Sequence, residues 1–346
     1  MPTMLSRRTA LVSGAGLLLA LGGCGATPAV LPPPGTVRTV PGPATARPPT
    51  TTRVGTNPTA VTVGFGAVWV TNNTDGTVDR LDPATGRLRG RAISVGAGPL
   101  AVATGEGGVW VATGDGYVRR LDPSTGQVAR GGARIDGLTG VAVGEGAVWA
   151  TSSAAGTLTR IDPRTGQVQG RPLPVGRGPT DVAVGGGSVW VADSVAGHVV
   201  RVDPRSVRVT GRTPVAHAQP AGQVLALTFG EGAVWVAKTD ARLAQPIDLV
   251  RLDPSTGRSS GAPLRISGRV GLRLAAGAGA VWATDAGNAL PPAPRRQPTV
   301  LRVDPRRQAL AGPAVRVGLD PSGVAVGAGA VWITNAGANS VTRVAP

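Results

Sequence analysis

The stretch that decides the fold begins at Pro58-Thr-Ala-Val-Thr-Val-Gly64 and continues through Gly66-Ala-Val-Trp-Val-Thr-Asn72. It goes on to Gly76-Thr-Val-Asp-Arg-Leu-Asp-Pro83, a turn at Ala84-Thr-Gly86, and a last apolar run at Ile93-Ser-Val95. These are four short β-type runs, bounded by glycine, proline and aspartate, which are residues that favour turns. The stretch therefore predicts a unit of four antiparallel strands, which we label a to d in chain order.

The same unit recurs along the chain, and a Val-Trp pair marks each copy. The spacings between successive tryptophans are 41, 39, 41, 45, 47 and 50 residues, at Trp69, Trp110, Trp149, Trp190, Trp235, Trp282 and Trp332. A four-stranded repeat of this length is typical of a β-propeller blade. The sequence thus predicts an all-β fold, a seven-bladed β-propeller that spans residues 51–346.

The seventh repeat lacks its fourth strand, because the chain stops at Pro346 soon after Ser340-Val-Thr-Arg-Val344. The missing phrase stands at the other end, where Arg53-Val-Gly-Thr-Asn-Pro58 matches Ser94-Val-Gly-Ala-Gly-Pro99. We therefore expect an N-terminal strand near Val54 to complete the last blade, which closes the ring and leaves no open sheet edge.

The repeat resembles a known family. Trp-Val-Thr-Asn at 69–72, followed by Gly-Thr-Val-Asp-Arg-Leu-Asp-Pro at 76–83, looks like the YVTN-type propeller repeat with tryptophan in the place of tyrosine. The resemblance covers residues 54–346 and implies the propeller fold. It implies no particular activity, because propellers carry many unrelated functions.

Residues 1–23 have the features of an export signal. Arg7 and Arg8 precede an apolar run from Ala10 to Leu21, which is too short to span a bilayer. Leu21-Gly-Gly-Cys24 resembles a bacterial lipobox, and that resemblance implies cleavage before Cys24 and lipidation of its sulfur. The alternative is a plain signal peptide in which the cysteine is incidental, and the twin arginines leave the export route open.

Residues 24–50 are rich in proline and predict an extended, disordered stalk. Together with the lipobox, they predict a protein anchored to the outer face of the cell membrane. The formal net charge is +16, from 34 arginines and one lysine. The arginines are spread along the repeats rather than grouped with aromatics, which argues against nucleic acid as a partner. We expect a monomer that needs no metal or cofactor.

Ligands of propellers usually bind at the face formed by the b–c and d–a loops. In this chain three loops on that face, all in blades four to six, depart from the repeat. A polar residue recurs three positions after each tryptophan. In blade five this residue is Lys238, the only lysine of the chain, and in the two neighbouring blades it is Asp193 and Asp285. Nine residues before the tryptophan the usual small residue is replaced by Asp181 and Arg273. With His217 from an altered loop, these six residues form the candidate ligand site, and no metal site is predicted. The alternative is a polar network that only fixes loops.

Three functions remain open at this point. The first is a non-catalytic binding or scaffold protein for a small molecule, peptide or envelope protein, and the second is a sensor or assembly partner of another envelope protein. The third is a lyase, because propellers with similar repeats include virginiamycin B lyase, a resemblance that implies a histidine, a glutamate and magnesium. The glutamates of this chain follow strand a and should lie on the opposite face, at Glu106, Glu145 and Glu231. Such a lyase would have to use Asp193, Asp285 and either Lys238 or His217.

Overall fold

Seven antiparallel sheets form in a computed structural model of the chain, which describes residues 48–216, 223–239, 247–266, 273–286 and 297–346. Each sheet contains the strands of one predicted blade, and contacts between the first strands of neighbouring sheets run from blade to blade and back to the start. The predicted seven-bladed β-propeller is confirmed. Among the described residues, no helix is both long and apolar enough to cross a membrane.

The strands follow the predicted order a to d in every blade, and within each sheet neighbouring strands are antiparallel. The a strands are β2 (Pro58–Gly64), β6 (Pro99–Gly105), β10 (Leu138–Gly144), β14 (Pro179–Gly185), β18 (Gln223–Gly230), β22 (Leu274–Gly277) and β27 (Pro321–Gly327). The b strands are β3 (Ala67–Asn72), β7 (Gly108–Thr113), β11 (Ala147–Ser152), β15 (Ser188–Asp193), β19 (Ala233–Thr239), β23 (Ala280–Asp285) and β28 (Ala330–Asn335). The c strands are β4 (Thr77–Leu81), β8 (Tyr117–Leu121), β12 (Thr157–Ile161), β16 (His198–Asp203), β20 (Ile247–Leu252), β24 (Thr299–Asp304) and β29 (Ser340–Val344). The d strands are β5 (Ile93–Ser94), β9 (Ala133–Arg134), β13 (Leu173–Pro174), β17 (Arg208–Pro214), β21 (Leu264–Ile266), the pair β25 (Ala309–Leu310) and β26 (Val315–Arg316), and β1 (Thr50–Arg53). A short 3₁₀ helix, Ala336–Ala338, joins β28 to β29.

The N-terminal strand closes the ring. β1 pairs antiparallel with β29, with Thr50 opposite Arg343 and Arg53 opposite Ser340. Val54 follows directly, is buried, and donates its backbone N–H to the carbonyl of Asn339 at 3.0 Å. The predicted completion of blade seven by an N-terminal strand is therefore confirmed.

Two-residue turns fix the register of strands a and b in all seven blades. In blade one Phe65 and Gly66 both have positive φ, 53° and 67°, which is the signature of a type I′ hairpin turn. Gly64 and Ala67 close that turn as a register pair. Because bonded and non-bonded pairs alternate along an antiparallel ladder, every second residue of strand a turns its backbone N–H and C=O away from strand b. In the innermost strand these groups point toward the central channel.

Each tryptophan joins two strands of its own blade. Its indole Nε1–H donates to the carbonyl of the glycine that ends strand a, at 3.0–3.3 Å in all seven blades. In six blades the arginine opposite on strand c places its guanidinium over the indole, at 5.2–5.9 Å from the ring centroid. All seven indoles are almost completely buried. The recurrent arginines thus have a packing role, as cation–π partners of the core.

The glycines that end strand a also set the distance between blades. A Cβ at Gly144 would lie 2.9 Å from Cγ1 of Val184 in the next blade, and a Cβ at Gly185 would overlap the ring of Phe229. The same contact recurs around the ring, where Gly327 of blade seven meets Val63 of blade one. Only glycine lets adjacent inner strands approach this closely.

Replacement of Gly185 by alanine should therefore destabilise the propeller. We expect a loss of about 1–3 kcal/mol in the free energy of unfolding, because the added methyl group overpacks the contact with Phe229. The matched control is Gly211→Ala, because a Cβ there has only Cβ of Arg201 nearby, at 3.9 Å. Urea unfolding followed by tryptophan fluorescence measures both, and equal stability of the two variants would contradict this account of the blade spacing.

Candidate functional site

The recurrent polar residue that ends strand b is buried in every blade. Its exposed fraction is 0–1% in six blades and 8% at Lys238. In blade one the Nδ2 group of Asn72 donates to Asp79 Oδ2 at 3.0 Å and to Thr77 Oγ1 at 3.1 Å. In blade seven Asn335 donates in the same way to Thr342 at 2.9 Å. In these two blades the position ties strand b to strand c.

Asp193 binds the backbone of its own blade. Its carboxylate accepts N–H groups from Gly178 at 3.1 Å, Arg177 at 3.2 Å and Ala196 at 3.3 Å. A Cβ at Gly176 would overlap this carboxylate, so the chain needs glycine where it enters blade four. Asp193 thus clamps the connection between blades three and four to the b–c loop of blade four.

Lys238 forms an ion pair with Asp248, a residue that the sequence analysis did not single out. Nζ of Lys238 lies 3.5 Å from Asp248 Oδ2, and Nε of Arg265 lies 3.2 Å from Asp248 Oδ1. The lysine and the aspartate are almost buried, at 8% and 9% exposure. Their strands make them neighbours, because Lys238 of β19 is the register partner of Asp248 of β20. Alignment of the repeats could have found this pair, because Asp248 holds the place that Thr77 holds in blade one.

Asp285 ends strand b of blade six and is fully buried. Its Oδ2 accepts the hydroxyl of Thr299 at 3.3 Å, and the two residues are register partners on β23 and β24. Asp193, Lys238 and Asp285 therefore each have a contact inside their own blade. These contacts favour the loop-fixing interpretation for Asp193, whose oxygens are occupied by three backbone donors.

Asp181 and Arg273 lie on or beside the innermost strands. The Asp181 carboxylate accepts the N–H of Val182 at 2.9 Å and the N–H of Leu227, in the next blade, at 3.0 Å. Burial raises the pKa of this carboxyl, while the Leu227 N–H and the charge of Arg273 act in the opposite direction. Arg273 is exposed, and its backbone N–H donates to Thr284 Oγ1 at 2.9 Å. The charges of blades four and six are thus close enough to influence each other.

His217, the sixth candidate, lies outside the described residues, as do residues 240–246 and 287–296 in the altered b–c loops of blades five and six. Cys24, the signal segment and almost all of the predicted stalk lie outside them as well. Within the described ranges, no group of three or more histidine, cysteine, aspartate or glutamate side chains is arranged to hold a metal ion. Of the described candidates, Asp181 is close to Arg273 and Lys238 is paired with Asp248 beside Arg265, whereas Asp193 and Asp285 make contacts within their own blades.

The glutamates lie where the sequence predicts, in the turns between strands a and b. Glu106 and Glu231 have positive φ as first residues of their type I′ turns. Oε1 of Glu106 accepts the N–H of Gly146 at 3.1 Å, and Oε1 of Glu231 accepts that of Gly279 at 3.0 Å. Each therefore links its turn to the same turn of the next blade, at the end of the ring opposite the candidate site.

Comparison with known proteins shows the fold alone. No protein-family model matches the chain, and no curated protein matches it by sequence. Among solved structures, hydrazine synthase of Kuenenia stuttgartiensis has a TM-score of 0.69 at 16% identity, over 85% of this chain and 98% of that chain. Virginiamycin B lyase of Staphylococcus aureus has a TM-score of 0.66 at 16% identity, over 86% and 99%. BamB of Moraxella catarrhalis has a TM-score of 0.54 at 18% identity, over 84% and 85%.

The chain thus belongs structurally with the seven-bladed β-propellers. The predicted likeness to propellers of the virginiamycin B lyase type is confirmed at the level of fold. The YVTN-type repeat and the lipoprotein assignment stay predictions.

The Lys238–Asp248–Arg265 cluster predicts unequal effects of mutation. Asp248→Ala should cost about 3–5 kcal/mol of stability, because it removes the carboxylate that compensates a buried lysine. Arg265→Ala should cost no more than about 1 kcal/mol, because the arginine side chain is 70% exposed. Chemical denaturation of both variants measures the difference, and an equal loss in the two would show that the buried charge of Lys238 does not depend on Asp248.

Proposed function

We propose that this chain is an exported, lipid-anchored β-propeller that binds a ligand or partner without catalysis, at the channel mouth near blades four to six. The observation that carries the proposal is the grouping of charge at that end of the ring. Asp181 and Arg273 replace small residues beside the channel, and Lys238, Asp248 and Arg265 lie in the blade between them. A few polar groups placed around a concave opening are typical of a ligand site.

The contacts of the site favour binding over catalysis. A general base needs a free lone pair within reach of the substrate proton. Asp193 already accepts three backbone N–H groups and is 1% exposed, and Asp285 is fully buried. Arg265 and Arg273, in contrast, are exposed and can reach a ligand. The charged cluster is therefore suited to recognise a polar ligand, while the two aspartates keep the loops around it in place.

The anchor is the second part of the proposal, and it rests on sequence. Cys24 follows a lipobox-like tripeptide, and the ring begins with β1 at Thr50. The segment between them is rich in proline, and proline-rich linkers are semi-rigid spacers. We therefore propose that this segment links the lipid anchor to the propeller.

Loss of the lipid attachment should release the protein from membranes. In a bacterial host that makes lipoproteins, Cys24→Ser should move the full-length protein from the membrane fraction to the soluble exported fraction and abolish labelling by radioactive palmitate. Thr27→Ser, which leaves the lipobox unchanged, is the matched control and should stay on the membrane. Membrane retention of the Cys24→Ser protein would refute the anchor and leave the binding proposal untouched.

A ligand of the cluster should stabilise the folded protein. We expect at least one compound from a panel of cell-wall fragments, peptides, sugars and lactones to raise the melting temperature, because a ligand at 100 times its Kd adds about 2.7 kcal/mol. Arg265→Ala and Arg273→Ala should weaken this shift. Arg134→Ala is the matched control, because Arg134 holds in blade two the register position of Arg265.

Two results would contradict the binding proposal. One is a panel without any shift, and the other is a shift that is the same in the Arg265→Ala and Arg134→Ala proteins. Turnover of a lactone by the full-length protein would instead favour the lyase function and contradict the non-catalytic assignment.

A further inference from the structure

The inner edge of the ring carries a repeated set of backbone N–H groups. The type I′ turns fix the register between strands a and b, and bonded and non-bonded residue pairs alternate from the turn onward. The residue eight positions before each tryptophan falls at a non-bonded pair, so its backbone N–H does not bond to strand b. These residues are aliphatic in every blade: Val61, Val102, Val141, Val182, Leu227, Leu274 and Val324. Their N–H groups therefore point toward the channel rather than into their own sheet.

In one place the chain itself shows what such a pair of N–H groups binds. Val182 and Leu227 hold equivalent positions in blades four and five, and both donate to the single carboxylate of Asp181, at 2.9 and 3.0 Å. Each oxygen takes one N–H, so the carboxylate bridges two neighbouring blades. Charge-assisted hydrogen bonds of this kind are stronger than neutral ones. The inner strands of blades four and five are thus close enough for one carboxylate to accept an N–H group from each.

The same spacing recurs where no side chain fills it. The bridging residue is the one before the aliphatic position, and in four consecutive blades it is small: Gly323, Ala60, Ala101 and Gly140. The inner strands of these blades contact one another as those of blades four and five do. None of these residues has a polar side chain, so none can bridge the N–H groups in the way that Asp181 does. We call the N–H groups of Val324, Val61, Val102 and Val141 the amide arc.

We propose that the amide arc is a binding site for a carboxylate, held between the backbone N–H groups of two adjacent blades as the Asp181 carboxylate is. The positive formal charge of +16 favours an anion at any solvent-accessible donor site on this protein. Arg273, in the place of a small residue in blade six, adds a cation in the blade beside that of Val324. In this site backbone N–H groups, rather than side chains, donate the hydrogen bonds to the carboxylate. The site is separate from the Lys238–Asp248–Arg265 cluster.

The inference rests on the proposed binding function for its biological meaning, but its test needs neither the natural ligand nor that cluster. In ¹H–¹⁵N spectra of the full-length protein, acetate should shift the amide signals of Val61, Val102 and Val141 in a saturable way. Acetamide, which has the same shape and no charge, should leave them in place. The amide of Leu227 is already bonded to Asp181 and serves as the internal reference.

A built-in carboxylate should compete with the added one. Ala60→Asp would place a carboxylate between the N–H groups of Val61 and Val102, and we expect the apparent Kd for acetate at these two amides to rise about tenfold, as the loss of a hydrogen bond to a charged group implies. Ala226→Asp is the matched control, because the Leu227 N–H beside it is occupied. Circular dichroism confirms that both variants fold, and Ala101→Asp repeats the test one blade further on.

The outcomes are distinct. Saturable shifts whose apparent Kd rises in Ala60→Asp and Ala101→Asp but is unchanged in Ala226→Asp would support the site. A peptide amide with one aspartate, used in parallel, shows whether a protein side chain or a small molecule is the better source of the carboxylate. Absence of saturable shifts with both probes, or an apparent Kd that is unchanged in Ala60→Asp and Ala101→Asp alike, would overturn the inference. A thermal-shift ligand that depends on Arg265 would leave the binding proposal standing in that case.

Discussion

The close approach of one blade to the next is the constraint on which the rest of the ring depends, and a glycine at the end of each inner strand permits it. The neighbouring blade leaves no room for a side chain at this glycine, as the contact of Gly144 with Val184 shows. The carbonyl of the same glycine accepts the indole N–H of its own blade. One residue therefore sets both the spacing between blades and the position of the largest core side chain. Because the arrangement repeats seven times, the circumference of the ring follows from a single local geometry.

This regularity explains why the two loop faces of the ring have different roles. At the a–b turns the type I′ geometry is strict, and Glu106 and Glu231 bridge these turns between blades. At the other end the partner of the polar residue near the end of strand b varies among blades, from the side-chain hydrogen bond of Asn72 with Asp79 to the ion pair of Lys238 with Asp248. Variation is thus tolerated at the end where the strands diverge into loops, and the altered charge of blades four to six is located there.

The inner strand of every blade has a backbone N–H group that points toward the channel. The neighbouring side chain decides whether that N–H is bonded within the protein. Asp181 satisfies two inward N–H groups with its own carboxylate, whose pKa is raised by its partial burial. Alanine or glycine at the corresponding positions leaves those donors to a ligand or to solvent. A single substitution within a repeat can therefore convert a binding position into a structural one.

The sequence alone determined the number of blades, the strand order, the closing role of the segment near Val54 and the placement of the glutamates. It could do so because period, turn residues and strand alternation are local properties that repetition makes easy to align. It also located Asp181, Lys238 and Arg273 as departures from the repeat. Only the tertiary structure showed that Lys238 is paired with Asp248 and that Asp181 reaches Leu227 of the next blade. The first contact depends on the pairing register of two strands, and the second depends on the distance between two blades. The sequence of a single repeat specifies neither, because both are set by how strands and blades pack in the ring.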